Sequence, residues 1–181
     1  MPPGYGRPAC AHPAGCARTR PTAPDFRAAI TVETVTSLAI RARWASQPAW
    51  ARWVLAAYLA GFADGTGAHI RDLARGGLHA YAFAPVAAQV FFVALVVLDP
   101  LVIAAVALAR PAGAWLAGVV MAADVAVNWS VNWSPLTAHP ARFVSATGLL
   151  PITLFGLFVL VTFVPLRRSL TRRDRAGQQH C

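Results

Sequence analysis

The chain has 181 residues, of which 57% are hydrophobic and only 13% charged, and its formal net charge is +9. So little charge cannot cover the surface of a soluble domain of this length, which excludes an ordinary soluble protein. All 16 basic residues are arginine, and this bias, together with abundant Ala, Val, Gly and Pro, indicates GC-rich bacterial coding. Because the arginines flank apolar blocks, we expect contact with the lipid bilayer and no nucleic-acid partner.

The N-terminal part of the chain, residues 1–46, is rich in proline and arginine. It is predicted to form a cytoplasmic tail that is poorly ordered at its start, because it cannot bury enough apolar area to offset its ordering entropy. A short juxtamembrane helix is expected over residues 26–44. The cysteines, Cys10, Cys16 and Cys181, form no close CxxC pair, so we expect reduced, solvated thiols and no bound cofactor.

The first membrane span is predicted at about 48–66, although its apolar stretch, residues 53–63, is short. A helix here crosses only if Arg52 and Asp64 lie near opposite interfaces, with the Arg52 side chain reaching the headgroups. A helix lying in the interface is the alternative. Arginines crowd before this segment and after the last apolar block. If both groups are cytoplasmic, the number of crossings is even, which favours a crossing helix.

Three longer apolar blocks follow. Spans are predicted at about 84–109 and 112–130, separated by Arg110, a charged stop, and Pro111, which suits the first turn of a helix. Such a short connection predicts an antiparallel hairpin. The last span, at about 145–166, contains no charge and is followed at once by arginines.

The predicted fold class is an all-α integral membrane protein. Residues 47–166 are expected to form a four-transmembrane-helix bundle, and residues 167–181 a poorly ordered, basic cytoplasmic tail. Both termini are then cytoplasmic, and the expected location is a bacterial plasma membrane. Small residues at every fourth position should let helix backbones approach closely. They are Ala57 and Gly61 in the first span, and Ala114, Gly118, Ala122 and Ala126 in the third.

Two carboxylic acids stand inside the predicted spans. Measured from the hairpin turn, Asp99 lies about 16 Å and Asp124 about 20 Å along the helices, so both are near one level of the membrane. A charged carboxylate at that depth costs roughly 3 kcal/mol or more. No Arg or His shares the level, so at least one acid is expected to be protonated. Asn128 lies one turn beyond Asp124 on the same face. Further intramembrane hydrogen-bonding candidates are Gln89, Thr153 and Thr162.

Three interpretations of Asp99 and Asp124 remain open. They could form a proton- or cation-binding site, because intramembrane acids commonly mark ion pathways. They could be neutral acids that hydrogen-bond between helices, or they could await an arginine from a partner protein. The sequence does not give the rotation of the two helices and therefore does not choose.

A second polar group is predicted on the outer side of the membrane: Asp64, His69, Asp72, His79 and His139. His69 and Asp72 are three residues apart, which suits one face of a short helix. Histidine and aspartate can bind zinc or copper or relay protons. The spacing is not that of a known metal site, so no metal is assigned. No histidine lies deep in a span, which excludes an axially ligated haem.

Aromatic residues fall near the predicted interfaces, as in an aromatic belt. They are Trp50, Trp53, Tyr81, Trp129 and Trp133. The last two belong to a repeated Asn-Trp-Ser motif that contains Asn128 and Asn132. This motif is predicted to cap the third span, with the indoles at the headgroups and the amides closing the helix end.

The leading functional hypothesis is a non-enzymatic accessory or assembly subunit, whose partner is a second membrane protein or another copy of the chain. No nucleophile–base set and no phosphate-binding loop is present in the sequence. The first alternative is a small proton- or cation-coupled transporter or channel that uses Asp99 and Asp124. The second is a membrane enzyme or metal-binding protein with an outer-facing His/Asp site.

Overall fold

The computed structural model describes residues 26–138, 140–144 and 149–178. Across these ranges the chain folds into five α-helices and two short 3-10 helices, without a strand. The α-helices are α1 (Phe26–Ser46), α2 (Ala49–Gly76), α3 (Val86–Ala107), α4 (Pro111–Ala138) and α5 (Leu149–Gln178). The 3-10 helices span Gly77–His79 and Pro140–Val144. Cys10, Cys16, His139 and Cys181 lie outside the described residues.

Three helices are long and apolar enough to cross a membrane: α3, α4 and the part of α5 that reaches Arg172. Their outward faces carry large apolar side chains, such as Val90, Val97 and Val161, each more than 60% exposed. A monomer in water does not expose so much contiguous apolar surface, whereas a bilayer solvates it. The all-α membrane class predicted from the composition is thereby confirmed.

Helices α2 to α5 pack side by side. Each is in contact with the next in the chain, and α2 also contacts α5, so the four close into a bundle. Its core contains Leu55, Leu95, Val102 and Val159, all fully buried. We call the end with the α3–α4 turn the hairpin end, and the end with the α2–α3 connection, residues 77–85, the distal end.

The predicted antiparallel hairpin is present at the hairpin end. Its turn contains Ala109, which is 3% exposed and has a φ of 48°, in the left-handed region that few residues other than glycine adopt. A Cβ atom on Gly113 would lie 2.5 Å from the carbonyl oxygen of Ala105. The first turn of α4 can therefore pass the last turn of α3 only with glycine at position 113.

Helix α1 covers the stretch in which a short helix was expected. Its Trp44 Nε1 donates a hydrogen bond of 2.8 Å to the carbonyl oxygen of Ala107, the last residue of α3. Pro48 then separates α1 from α2. The end of α1 is thus attached to the hairpin end of the bundle.

Several helices extend beyond the apolar blocks that predicted them. Helix α2 continues to Gly76, where Gly77, with a φ of 58°, forms its C-terminal cap. Helix α4 continues to Ala138 and α5 to Gln178, so poor order is not confirmed for residues 167–178. The added turns of α2 and α5 contain Ala, Leu and Arg, which favour helix. A helix can be longer than its apolar block, because only the apolar block has to match the membrane thickness.

The small-residue pattern is correct for part of its length. Ala114 and Gly118 are buried, and a Cβ on Gly118 would lie 3.0 Å from the Phe163 ring of α5. Ala122 and Ala126 are exposed, although they were expected at the same interface. Four residues advance a helix by slightly more than one turn, so a stripe with this period drifts off a straight contact line.

We predict that Gly113→Ala lowers the melting temperature of the detergent-solubilised protein, followed by tryptophan fluorescence. The new Cβ would overlap the Ala105 backbone, and overpacking of this kind costs about 1–3 kcal/mol. Gly67→Ala is the matched control, because a Cβ at that helical position meets nothing within 4 Å. The control should melt at or above the wild-type temperature. Equal melting of the two variants would contradict the close helix contact.

Candidate functional site

Asp99 lies on the face of α3 that points into the bundle. It shares this face with Leu95, Val102 and Val106, and it is only 5% exposed. Its Oδ2 atom would lie 3.1 Å from a Cβ on Gly65 of α2. The absence of a side chain at Gly65 thus makes room for the carboxyl group between α2 and α3.

Asp124 is half-buried on α4 and is bonded to the residue one turn further on. Asn128 Nδ2 donates to the Asp124 carboxylate at 2.9 Å and to its backbone carbonyl oxygen at 3.1 Å. The sequence predicts that these residues share a helix face, and the hydrogen bond joins them on that face. The predicted cap is wrong, because α4 continues beyond the repeat. Asn132 Nδ2 bonds a carbonyl oxygen within the helix, that of Asn128, at 2.9 Å.

The two acids are coupled without being bonded to each other. The Asp124 charge acts electrostatically on Asp99, yet no hydrogen bond joins the two carboxyl groups in the described part of the chain. Among the described side chains no cation neutralises either of them, and Asn128 is the hydrogen-bond partner of the Asp124 carboxylate. The hairpin therefore brings the acids within electrostatic range, as their predicted depths implied.

A second polar cluster lies at the distal end. His69 Nδ1 is 2.9 Å from the hydroxyl of Tyr81, and that hydroxyl donates to Asp72 Oδ2 at 3.3 Å. Because a hydroxyl has a single hydrogen, His69 Nδ1–H must be the donor in the first contact. The three residues form a directed chain from imidazole to phenol to carboxylate, which we call the His–Tyr–Asp chain.

Packing holds this chain in place. Tyr81 is 6% exposed, and its ring centroid lies 5.0 Å from that of Phe92, on which the His69 ring stacks at 6.4 Å. Burial lowers the pKa of His69, an effect that the Asp72 carboxylate only partly offsets. Burial and the same carboxylate raise the pKa of Tyr81. At neutral pH the chain therefore carries a neutral imidazole and an intact phenol.

A cavity of about 500 Å³ opens beside the His–Tyr–Asp chain. Its lining includes the three residues of the His–Tyr–Asp chain, and also Arg75, Phe83, Phe92, Asn128 and Asn132. Since Asn128 lines the cavity and also bonds Asp124, it links the cavity to the intramembrane acids. The Asp124 charge also acts on Tyr81. Two groups that the sequence placed apart are thus parts of one polar region.

Other predicted site residues lie elsewhere. Gln89 Nε2 donates to the carbonyl oxygen of Ala84 at 2.8 Å, so Gln89 fixes the start of α3 and is not grouped with the acids. Asp64 and His79 are exposed and do not line the cavity. Within the described ranges, no group of three or more His, Cys, Asp and Glu side chains is placed to hold a metal ion.

The two threonines predicted to hydrogen-bond within the membrane do so, and both bonds join helices. Trp129 Nε1 donates to the Thr153 hydroxyl at 2.9 Å, which ties α4 to α5. The Tyr58 hydroxyl lies 2.9 Å from the Thr162 hydroxyl and donates to the Val159 carbonyl oxygen at 2.9 Å, which ties α2 to α5.

Sequence reasoning missed the two tyrosines that organise these contacts. Tyr81 was assigned to an interfacial aromatic belt, whereas it is buried and bonded to His69 and Asp72. Tyr58 was treated as one apolar residue of a short span. A buried tyrosine hydroxyl needs a hydrogen-bond partner, so a tyrosine among polar and charged neighbours was the signal available for Tyr81.

We predict that protonation of His69 destabilises the fold. The folded-state pKa lies below the ordinary value of 6.5, so the unfolded chain binds more protons as the pH falls from about 7 through that range. The melting temperature should drop over this interval, and His69→Gln should reduce the drop. His79→Gln is the matched control at an exposed histidine and should keep the wild-type dependence. An identical slope in the His69 variant would refute the prediction.

Comparison with known proteins adds no relative to this description. No protein-family model, no curated protein and no solved structure matches the chain. The function therefore has to be inferred from the residues and geometry of this chain alone.

Proposed function

We propose that α2 is a fourth crossing helix and that the bundle spans the membrane four times. Helix α2 packs against both α3 and α5, and Leu55, Tyr58 and Phe62 face the core. Its 28 residues extend about 42 Å, enough to cross the hydrocarbon and emerge at the distal end. A helix lying in the interface would not run alongside two crossing helices.

The distribution of arginine supports a cytoplasmic hairpin end. Arginines flank that end in α1, in the first turn of α2, in the α3–α4 turn and after the apolar part of α5: Arg41, Arg43, Arg52, Arg110, Arg167 and Arg168. The distal end carries Arg71, Arg75 and Arg142. Positive residues favour the cytoplasmic side, so both termini are assigned there. All basic residues of the chain are arginine, which indicates GC-rich bacterial coding. We therefore assign this topology to a bacterial plasma membrane.

Within that topology, the function that the geometry supports best is a small proton- or cation-coupled transporter. The observation that carries it is Asp99, a carboxyl group that is 5% exposed, has no cation beside it among the described residues, and is coupled to Asp124. Burying such a group is costly unless it binds a proton or cation. Asp124 in turn connects through Asn128 to the distal cavity, which gives the ion a way in from water.

We infer that the other half of the pathway, between the acids and the hairpin end, is closed. From Asp99 to the hairpin turn is about 16 Å, and Val102, Val106 and Ala109 on this path are 3% exposed or less. Residues 100–109 contain no polar side chain, so this stretch of α3 and its turn offers an ion no ligand. An ion could complete the crossing only if the helices rearrange, which favours a coupled transporter over an open channel.

We predict that the protein carries protons across liposome membranes and that Asp99→Asn or Asp124→Asn lowers the rate at least tenfold. Asparagine keeps the shape of the side chain but cannot exchange a proton. The rate is followed with a pH-sensitive dye trapped in the vesicles, with valinomycin and potassium balancing charge. Asp64→Asn, at an exposed acid outside the cavity, should leave the rate unchanged. Transport equal to wild type in both variants, or no faster than in empty vesicles, would refute the proposal.

A second candidate, a subunit of a larger membrane complex, is supported by the exposed face of α4. Ala122 and Ala126 lie on that face, one turn apart, and small residues allow another helix to approach closely. The candidate predicts that Ala122→Leu releases a stoichiometric partner, or a second copy, during gentle purification from native membranes. Leu157, already large and exposed on α5, gives the control Leu157→Phe. A lone monomer from wild-type membranes would exclude this candidate.

A further inference from the structure

The distal cavity is lined by one acidic and one basic side chain that are not paired with each other. Asp72 and Arg75 lie three residues apart on α2, and both line the cavity. Asp72 Oδ2 accepts the Tyr81 hydroxyl, which leaves a second carboxylate oxygen for a ligand. In the described part of the structure no ion pair joins Asp72 to Arg75. The cavity therefore presents a negative and a positive group, roughly one helical turn apart.

The wall formed by α4 adds hydrogen-bond acceptors. The amide nitrogens of Asn128 and Asn132 donate to acceptors on their own helix, namely Asp124 and the Asn128 carbonyl oxygen. Both amide oxygens remain as acceptors for a ligand, and Asn132 keeps one N–H. His69 donates through Nδ1 to Tyr81, so its Nε2 atom is also an acceptor. Acceptors beside a carboxylate suit a protonated amine.

Aromatic rings supply an apolar surface between these polar groups. Phe83, which is 70% exposed, lies with its ring centroid 6.5 Å from that of Tyr81, and the Tyr81 ring lies 5.0 Å from Phe92. The volume of about 500 Å³ is in the range of small-molecule sites, which combine apolar walls with a few placed polar groups.

We propose that the distal cavity binds a small zwitterion with an apolar side chain, of the amino-acid class. Its ammonium group contacts Asp72 and the asparagine oxygens, its carboxylate contacts Arg75, and its side chain lies against Phe83 and Phe92. A simple amine would meet the Arg75 charge, and a simple carboxylate would meet Asp72. The pair of opposite charges thus selects against ligands that carry only one of them.

This inference rests on the proposed transport function, because it names the ligand that would accompany the proton through the same polar region. Binding itself needs no gradient and no ion movement. It can therefore be measured separately, on the full chain purified in detergent.

The test compares three probes that share a phenylethyl body: L-phenylalanine, phenethylamine and 3-phenylpropionate. Isothermal titration calorimetry should show L-phenylalanine binding at least tenfold more tightly than either singly charged probe. Asp72→Asn should weaken L-phenylalanine at least tenfold and not weaken 3-phenylpropionate. Arg75→Gln should weaken L-phenylalanine similarly and improve phenethylamine. Asp64→Asn, an acid outside the cavity on the same helix, should bind all three probes as wild type does.

Opposite charge preferences in the two variants would support the inference even if one variant were less stable. Phenethylamine binding as tightly as L-phenylalanine, or no binding of any probe, would overturn it. Proton flux without binding of L-phenylalanine would refute the ligand assignment alone. Binding of L-phenylalanine without proton flux in the wild type would refute the transport proposal alone.

Discussion

A carboxyl group surrounded by hydrocarbon has to be neutral, paired or in contact with water, because lipid chains offer it no hydrogen bond. This constraint governs the arrangement around Asp99. Gly65 makes space for the group on one side, and Asp124 on α4 acts on it electrostatically. Asn128 connects Asp124 to the distal cavity. The polar residues thus extend inward from one end of an otherwise apolar bundle.

The rest of the bundle is held by close packing and by a few hydrogen bonds between helices. Apolar packing gains little in lipid, where the hydrocarbon solvates side chains as well as a neighbouring helix does. Tyr58 and Trp129 therefore contribute more than packing area, because each makes a hydrogen bond to α5. The side chain missing at Gly113 allows the hairpin to close. Small residues determine the distances between helices, and the polar atoms of Tyr58 and Trp129 determine which helix faces meet.

The sequence predicted what depends on hydropathy and chain length. Apolar blocks located α3, α4 and α5, and Arg110 with Pro111 located the hairpin. Helix ends were harder to predict, because α2 and α4 continue in polar sequence beyond the apolar blocks, and in α4 even past Pro135. The meeting of His69 with Tyr81 depends on how the α2–α3 connection folds back onto the bundle. No periodicity in one sequence encodes that path.

The position of each acid along its helix follows from residue counting, whereas its surroundings do not. Counting residues from the hairpin turn placed Asp99 and Asp124 near one level. Their environment also depends on helix rotation, which put Asp99 against α2 and left Asp124 beside the cavity. The hydrogen bond from Trp44 to the Ala107 carbonyl oxygen has a further mechanical consequence. Any helix movement that opens the hairpin end must carry α1 with it or break this bond, so α1 and the hairpin end of the bundle cannot move independently.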